Sequence, residues 1–233
     1  MDTTPDLSFY FAIHRKMRSD IARAATAVAT ATEEDRSGRL GPLARWAAGF
    51  THELVEHHFV EDRFFFPELR RRVPAAADVL DALDAEHHVL DDLLDRWPAA
   101  VAALAGRRTA FGAAHCEAVE ITQGLADLLG PHLDREDADV LPLFWRHMSG
   151  AEYAALQQSA VDGGKKTGLG FVVPWNASCV EGAERDALLA QAGLPMRVIL
   201  RLTEGRHQRL VAAAFPSSVP AVAPASASRA HDA

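Results

Sequence analysis

Two short segments of this sequence carry the same pattern of potential metal ligands. Each reads His-x-x-x-Glu-Asp-x-x-x-x-Pro, one from His57 to Pro67 and the other from His132 to Pro142. Residues four apart on an α-helix lie on one face about one turn apart. An imidazole and a carboxylate with this spacing can bind one metal ion, or two neighbouring ions, through nitrogen and oxygen.

The position of each pair relative to the apolar residues decides which pair faces the protein interior. A lone His-x-x-x-Glu is weak evidence for a site, and His52 and Glu56 have the same spacing in the same predicted helix. His57 and Glu61 continue the apolar stripe that runs through Phe50, so we expect them to point inward. His52 and Glu56 lie off that stripe, and we expect them to face water.

Buried carboxylates need a source of positive charge. His132 and Glu136 continue the apolar stripe of their helix, just as His57 and Glu61 do. Two ionised carboxylates placed in the interior would each cost several kcal/mol without a cation. No lysine or arginine lies on those stripes, and metal ions would remove this cost.

The connections between the predicted helices bring further histidines to the same level. In an antiparallel hairpin, residues equidistant from the turn lie side by side. The relevant pairs are His14 with His57, Glu61 with His87, and His87 with His132. Their midpoints fall in the polar segment 32–38, at Pro74 and beside Thr109, which are the three predicted connections.

The candidate ligand set therefore combines imidazoles and carboxylates from four helices. Its members are His14, His57, Glu61, His87, His132 and Glu136. Nitrogen and oxygen ligands without sulfur favour iron, with manganese or zinc as alternatives. With both carboxylates bridging, the set suits two metal ions roughly 3.5–4 Å apart.

The elements that position these residues are predicted to be helices throughout. Four long apolar stripes of helical period with short connections predict an all-α fold, an antiparallel up-down four-helix bundle over residues 8–148. Pro98 is expected to kink or end the third helix. Residues 149–215 are predicted to form a helical extension that packs on the bundle, with a glycine-rich loop over 161–178, and residues 216–233 a disordered tail.

Composition excludes several classes of partner. The chain has 233 residues and a net charge of −8, which argues against nucleic acid and against anionic membrane surfaces. No apolar run approaches the roughly 20 residues of a membrane span. The first residues do not resemble a signal peptide, and two cysteines cannot form a disulfide framework, so we expect a cytoplasmic protein.

The pattern as a whole resembles the hemerythrin-like (HHE cation-binding) domain family over about residues 8–148. That family carries one histidine on each of the first and third helices and His-x-x-x-Glu on the second and fourth. The resemblance implies a carboxylate-bridged, non-haem diiron centre that meets O2, hydrogen peroxide or nitric oxide.

One position departs from the oxygen-carrying members of the family, which have a second histidine four residues after the third-helix ligand. Here that residue is Asp91, which is expected to replace an imidazole ligand or to leave the site open to water. The change predicts a less reversible centre than that of an oxygen carrier. Asp62 and Asp137 are candidates either to orient ligand histidines or to cap the surface. His58 and His88, each next to a ligand, are expected to point sideways to solvent, with an additional or supporting role beside the ligands as the alternative.

Three functions remain open from the sequence. The leading interpretation is a redox protein that reacts with O2 or hydrogen peroxide and decomposes peroxide rather than carrying O2. The first alternative is a diiron oxygenase with a small organic substrate, for which residues 149–215 would build a pocket. The second is a non-enzymatic iron or oxygen sensor or store that uses those residues for protein contacts. The sequence favours an enzyme, a diiron oxidoreductase of catalase-like or oxygenase type, without deciding it.

Overall fold

The fold is all-α, as predicted. A computed structural model describes residues 3–216. This part of the chain is 86% helical and contains no strand. The periodic spacing of apolar residues produces this result, because each long helix buries one stripe against its neighbours.

Ten α-helices make up the described part of the chain. They are α1 (Ser8–Ala29), α2 (Leu40–Val60), α3 (Phe66–Arg72), α4 (Ala77–Ala105), α5 (Phe111–Arg135), α6 (Leu141–His147), α7 (Gly150–Gly163), α8 (Leu169–Ala177), α9 (Gly182–Gln191) and α10 (Gly193–Ala214). Short 3-10 helices span Glu33–Ser37 and Pro74–Ala76. Single π-helical turns join α2 to α3 at Glu61–Phe65 and α5 to α6 at Glu136–Val140.

The long helices pack side by side and enclose two apolar clusters. Helix α4 packs against α2 and α5, and α5 also packs against α1. One cluster, around Trp46, Phe50 and Trp97, contains the larger share of the buried residues. The other lies around Phe66 and Phe144. The predicted ligand residues lie between these two clusters, on or directly after α1, α2, α4 and α5.

The predicted glycine-rich loop was wrong, and of the two outcomes predicted at Pro98 the structure excludes the end of the helix. Helix α4 does not end at Pro98 but continues to Ala105, because the neighbouring Trp97 and Val101 are fully buried and their packing offsets the lost backbone hydrogen bond. The predicted glycine-rich loop contains helix α8. Its apolar residues lie all around the helix, so it shows no helical period in the sequence.

The C-terminal helices pack on the second long helix. Helix α10 lies against α2 and α8, and α8 also contacts α2. Helices α9 and α10 lie within the predicted helical extension. The division of the chain between residues 148 and 149 stays a prediction, and the predicted disordered tail lies, except for Pro216, outside the described residues. No helix in residues 3–216 has both the length and the apolar character required to cross a membrane.

Candidate metal centre

The two π-helical turns begin at the two glutamates of the repeated motif. In each turn the glutamate carbonyl oxygen accepts the amide of the residue five positions later. Pro67 and Pro142 follow immediately and have no amide hydrogen, so the ordinary bond to the residue four positions earlier cannot form at that point. Single π turns inside α-helices occur often at functional sites. The repeat therefore places Glu61 and Glu136 at equivalent positions in the two halves of the protein.

A first group of possible ligand atoms combines two imidazoles and two carboxylates. It contains His14, His57, Glu61 and Glu136, whose ligand atoms all lie within 4.8 Å of one another. The Nε2 atoms of His14 and His57 are 3.2 Å apart. His57 Nε2 lies 3.3 Å from Glu61 Oε1, and His14 Nε2 lies 3.7 Å from Glu136 Oε2.

A second group consists of three imidazoles. His58, His87 and His132 are all buried, and their ligand nitrogens also lie within 4.8 Å of one another. The Nε2 atoms of His87 and His132 are 3.1 Å apart. The ring of His58 stacks on that of His87 at a centroid distance of 4.3 Å.

The two carboxylates connect the groups. Glu61 places Oε1 beside His57, and its Oε2 lies 3.5 Å from His87 Nε2. Glu136 places Oε2 beside His14, and its Oε1 lies 3.2 Å from His132 Nε2. Each carboxylate thus directs one oxygen to each group, as a ligand shared by two neighbouring metal ions would.

Several polar atoms of this site are buried without a hydrogen-bond partner, as expected of atoms that bind metal ions. Glu61 Oε2, both carboxylate oxygens of Glu136 and His58 Nε2 are buried without a hydrogen-bond partner. Buried polar atoms are nearly always paired, and leaving several unpaired in one place is costly. The five imidazoles and two carboxylates are oxygen and nitrogen donors suited to iron. The residues present therefore fit a site for two metal ions.

The two aspartates that follow the glutamates contact ligand histidines at Nδ1, the ring nitrogen that faces away from the site. His87 Nδ1 lies 2.7 Å from Asp62 Oδ1, and His14 Nδ1 lies 2.7 Å from Asp137 Oδ1. A carboxylate on Nδ1 fixes the tautomer and the ring orientation, so that Nε2 remains free to bind a metal. Of the two roles that the sequence left open for these aspartates, the contacts are those that the orienting role requires.

Glu86 performs the same task for His132 and was not found by sequence reasoning. Its Oε2 lies 3.0 Å from His132 Nδ1, and Arg135 forms an ion pair with its other oxygen. The only sequence signal is that Glu86 precedes His87 on a helix that must face α5.

The expectation that His58 faces solvent was wrong. Its side chain is 1% exposed, and its Nδ1 lies 2.7 Å from Asp91 Oδ1. Consecutive residues differ by about 100° around a helix, so His57 turns toward His14 on α1 while His58 turns toward His87 on α4.

Asp91 does not replace an imidazole ligand, which was one of the roles predicted for it. Asp91 belongs to neither group of ligand atoms, and its side chain is 46% exposed. Its carboxylate contacts His58, an imidazole of the second group, and so joins α4 to α2 beside the site.

Three further histidines lie outside both groups. His52 and His88 are exposed, and His88 Nδ1 contacts the carbonyl oxygen of Asp84. His115 Nε2 contacts the carbonyl oxygen of Val28, away from the site. The expectation for His88 is thereby confirmed.

A tyrosine also contributes to the site. The hydroxyl of Tyr10 donates to Glu61 Oε1, and its ring lies edge-on to His14 at a centroid distance of 4.7 Å. Burial and the charges of Glu61 and Glu136 raise the pKa of Tyr10 well above its usual value, so the hydroxyl stays protonated. Tyr10 lies four residues before His14 on the same helix face, which is the signal that sequence reasoning overlooked.

The electrostatics of the two carboxyl groups also favour a cation. Burial and the neighbouring Glu136 raise the pKa of Glu61 well above its usual value. Burial acts the same way on Glu136, but contacts with His132 and His87 outweigh it and hold its pKa well below the usual value. Burial and His14 lower the pKa of His57, which favours the neutral imidazole that a metal requires. Two carboxylates this close keep both charges when cations lie between them.

Comparison with known families agrees with this arrangement. The family model described as the hemerythrin HHE cation binding domain matches residues 7–144. The match spans more than half of the chain and includes every residue of both ligand groups. No curated protein and no solved structure matches the chain. Helices α7 to α10 lie beyond the matched segment.

Proposed function

Because the chain belongs to the hemerythrin HHE cation-binding family, we propose that it is a non-haem diiron protein that reacts with O2 or hydrogen peroxide. In this proposal residues 8–148 form an antiparallel up-down four-helix bundle around the two ions. The observation that carries the proposal is the pair of carboxylates, each with one oxygen toward each histidine group.

The two ions would have unequal sets of protein ligands. His14 and His57 would hold one ion, and His58, His87 and His132 the other, with Glu61 and Glu136 shared. The first ion would thus have one imidazole fewer. A small oxidant would reach it beside Tyr10, whose hydroxyl contacts Glu61.

We expect oxidation to prevail over reversible oxygen transport. Bound iron supplies the redox change that reduction of O2 or peroxide requires. The anionic carboxylates of Glu61 and Glu136 would favour the ferric state of bound iron, and the Tyr10 hydroxyl holds a proton next to Glu61. The buried apolar clusters on both sides of the site exclude water from it.

The sensor or store interpretation has one supporting observation. Leu194, Val198 and Leu202 lie four residues apart on α10 and are 72%, 49% and 77% exposed. Such an apolar stripe is typical of protein contacts. The oxygenase interpretation has no such support, because no candidate metal ligand lines the cavity of about 750 Å³ between α2, α8 and α10.

The proposal is tested by mixing protein reconstituted with ferrous iron under argon with oxygenated buffer in a stopped-flow instrument and then sparging with argon. We expect the diferric spectrum to persist after sparging and hydrogen peroxide then to be consumed with release of O2. His57→Ala should abolish both signals, and His52→Ala should retain them. An oxygenated spectrum that reverts under argon would make the protein an oxygen carrier instead.

A further inference from the structure

A groove of about 750 Å³ lies between α2, α8 and α10, away from the candidate metal centre. Its lining includes Arg45, Phe171, Thr203, Arg206, His207 and Arg209. On α2 it reaches Gly49, eight residues before His57, which is about 12 Å along the helix axis. Most of the lining comes from helices outside the family match, so the groove belongs to the C-terminal part of this chain.

The groove concentrates positive charge in an acidic protein. The chain has a net charge of −8, yet three arginines, Arg45, Arg206 and Arg209, line one groove. Within residues 3–216 none of the three forms an ion pair, whereas the nearby Arg185 is paired with Glu204. Unpaired guanidinium groups facing one cavity favour an anion there.

A buried polar group in the wall also lacks a partner. His207 lines the groove, is 6% exposed, and its Nδ1 is buried without a hydrogen bond. Burial and the positive charge of Lys16 lower the pKa of His207 to about 4, so the ring is neutral at pH 7. Buried side chains of this kind are normally hydrogen-bonded, and a bound ligand would provide the partner.

The floor of the groove carries backbone amides from the N-terminal end of α8. Leu169 and Gly170 line it at the N-terminal end of α8, where the first amides of a helix have no intrahelical acceptor and attract anions. Gly168, which begins this end, has a φ of 65°, a conformation that favours glycine.

The apolar wall is held in place by its fit against α2. A Cβ on Gly49 would lie 2.3 Å from the ring of Phe171, so the absence of a side chain lets the ring pack against the helix. The same ring lies edge-on to His207 at a centroid distance of 4.8 Å. Phe171 and Leu210 therefore give the groove a fixed apolar surface beside the arginines.

We propose that this groove binds a small organic anion, with its carboxylate or phosphate held by the arginines and the amides of α8, and its apolar or aromatic body packed against Phe171 and Leu210. A volume of about 750 Å³ falls within the usual range for small-molecule sites. The inference does not depend on the metal content or on the redox activity of the protein.

Isothermal titration calorimetry with 1-naphthyl phosphate and 1-naphthoate, on the full metal-loaded chain, tests this proposal. We expect at least one of the two anions to bind in a 1:1 ratio, and both 1-naphthol and inorganic phosphate to bind at least about tenfold more weakly, because each lacks one half of the interaction. Ala213→Trp, at an exposed lining position, should block the site sterically.

Two double variants on α10 distinguish binding by the arginines of the groove from a general effect of the protein's net charge. Arg206→Gln with Arg209→Gln should weaken binding at least about tenfold. Arg197→Gln with Arg201→Gln removes the same charge from exposed positions outside the groove and should leave binding unchanged. The proposal fails if neither anion binds, if both double variants behave alike, or if inorganic phosphate alone binds as tightly as the naphthyl compounds.

Discussion

His58 Nδ1 and Asp91 Oδ1 lie 2.7 Å apart and join α2 to α4 at the edge of the candidate metal centre. The contact leaves His58 Nε2 buried, without a hydrogen bond, among the ligand nitrogens of His87 and His132. A residue pair that spans two helices thus supplies the third imidazole of one group.

His58→Ala should reduce the metal content from two ions per chain toward one, because one group loses an imidazole while the other is unchanged. Elemental analysis of the purified variant measures this directly. His88→Ala is the matched control, since His88 is exposed on α4 and should have no effect. Full metal content in His58→Ala would show that His58 is buried for packing alone.

Asp91→Asn should weaken metal binding by roughly 10–100-fold, because the amide holds the His58 ring less firmly in the metal-binding orientation. Competition with a chelator, followed by absorbance, gives the affinity. Asp92→Asn changes the neighbouring exposed residue and should bind metal as the original chain does. Equal affinities in the two variants would contradict an orienting role for Asp91.

His57→Ala and His132→Ala should each lose metal and melt at a lower temperature. Each change leaves a buried glutamate without its cation, which costs roughly 3–5 kcal/mol. Thermal denaturation and metal analysis on the same samples test both effects. His52→Ala should match the original protein, because His52 is exposed on α2. Metal loss in His52→Ala but not in His57→Ala would mean that the assigned helix face is wrong.

Glu53 gives a pH-dependent prediction independent of the metals. It is 5% exposed, and its burial outweighs a hydrogen bond from Asn176 and raises its pKa to about 8. Between the ordinary carboxyl pKa and about 8, the unfolded chain releases a proton that the folded chain keeps, so stability falls as pH rises and levels off above 8.

Glu53→Gln keeps a hydrogen-bond acceptor for Asn176 and removes this ionisation. Relative to the original chain it should gain little stability near pH 4.5 and roughly 4 kcal/mol above pH 8. Urea denaturation from pH 5 to 9 measures the difference, with the exposed Glu117→Gln as control. A gain that does not grow with pH would mean that Glu53 is ionised in the folded protein.

The sequence predicted the helical class and the six ligand candidates because the repeated motif and the apolar stripes share one period. It failed at His58, because a stripe identifies only the residues facing the centre of the fold, while His58 faces sideways into the contact between α2 and α4. Tyr10 and Glu86 were not identified from the sequence for a similar reason, since each acts on a residue of a neighbouring helix. Helix α8 was missed because its residues are apolar on all sides.

Metal analysis of the purified protein, combined with its absorption spectrum in air, tests whether the chain binds two iron ions. We expect two metal ions per chain, mostly iron, with the spectrum of an oxo-bridged diferric centre. One tightly bound zinc ion in tetrahedral coordination would contradict this expectation, because Glu61 and Glu136 would then have no second ion to share.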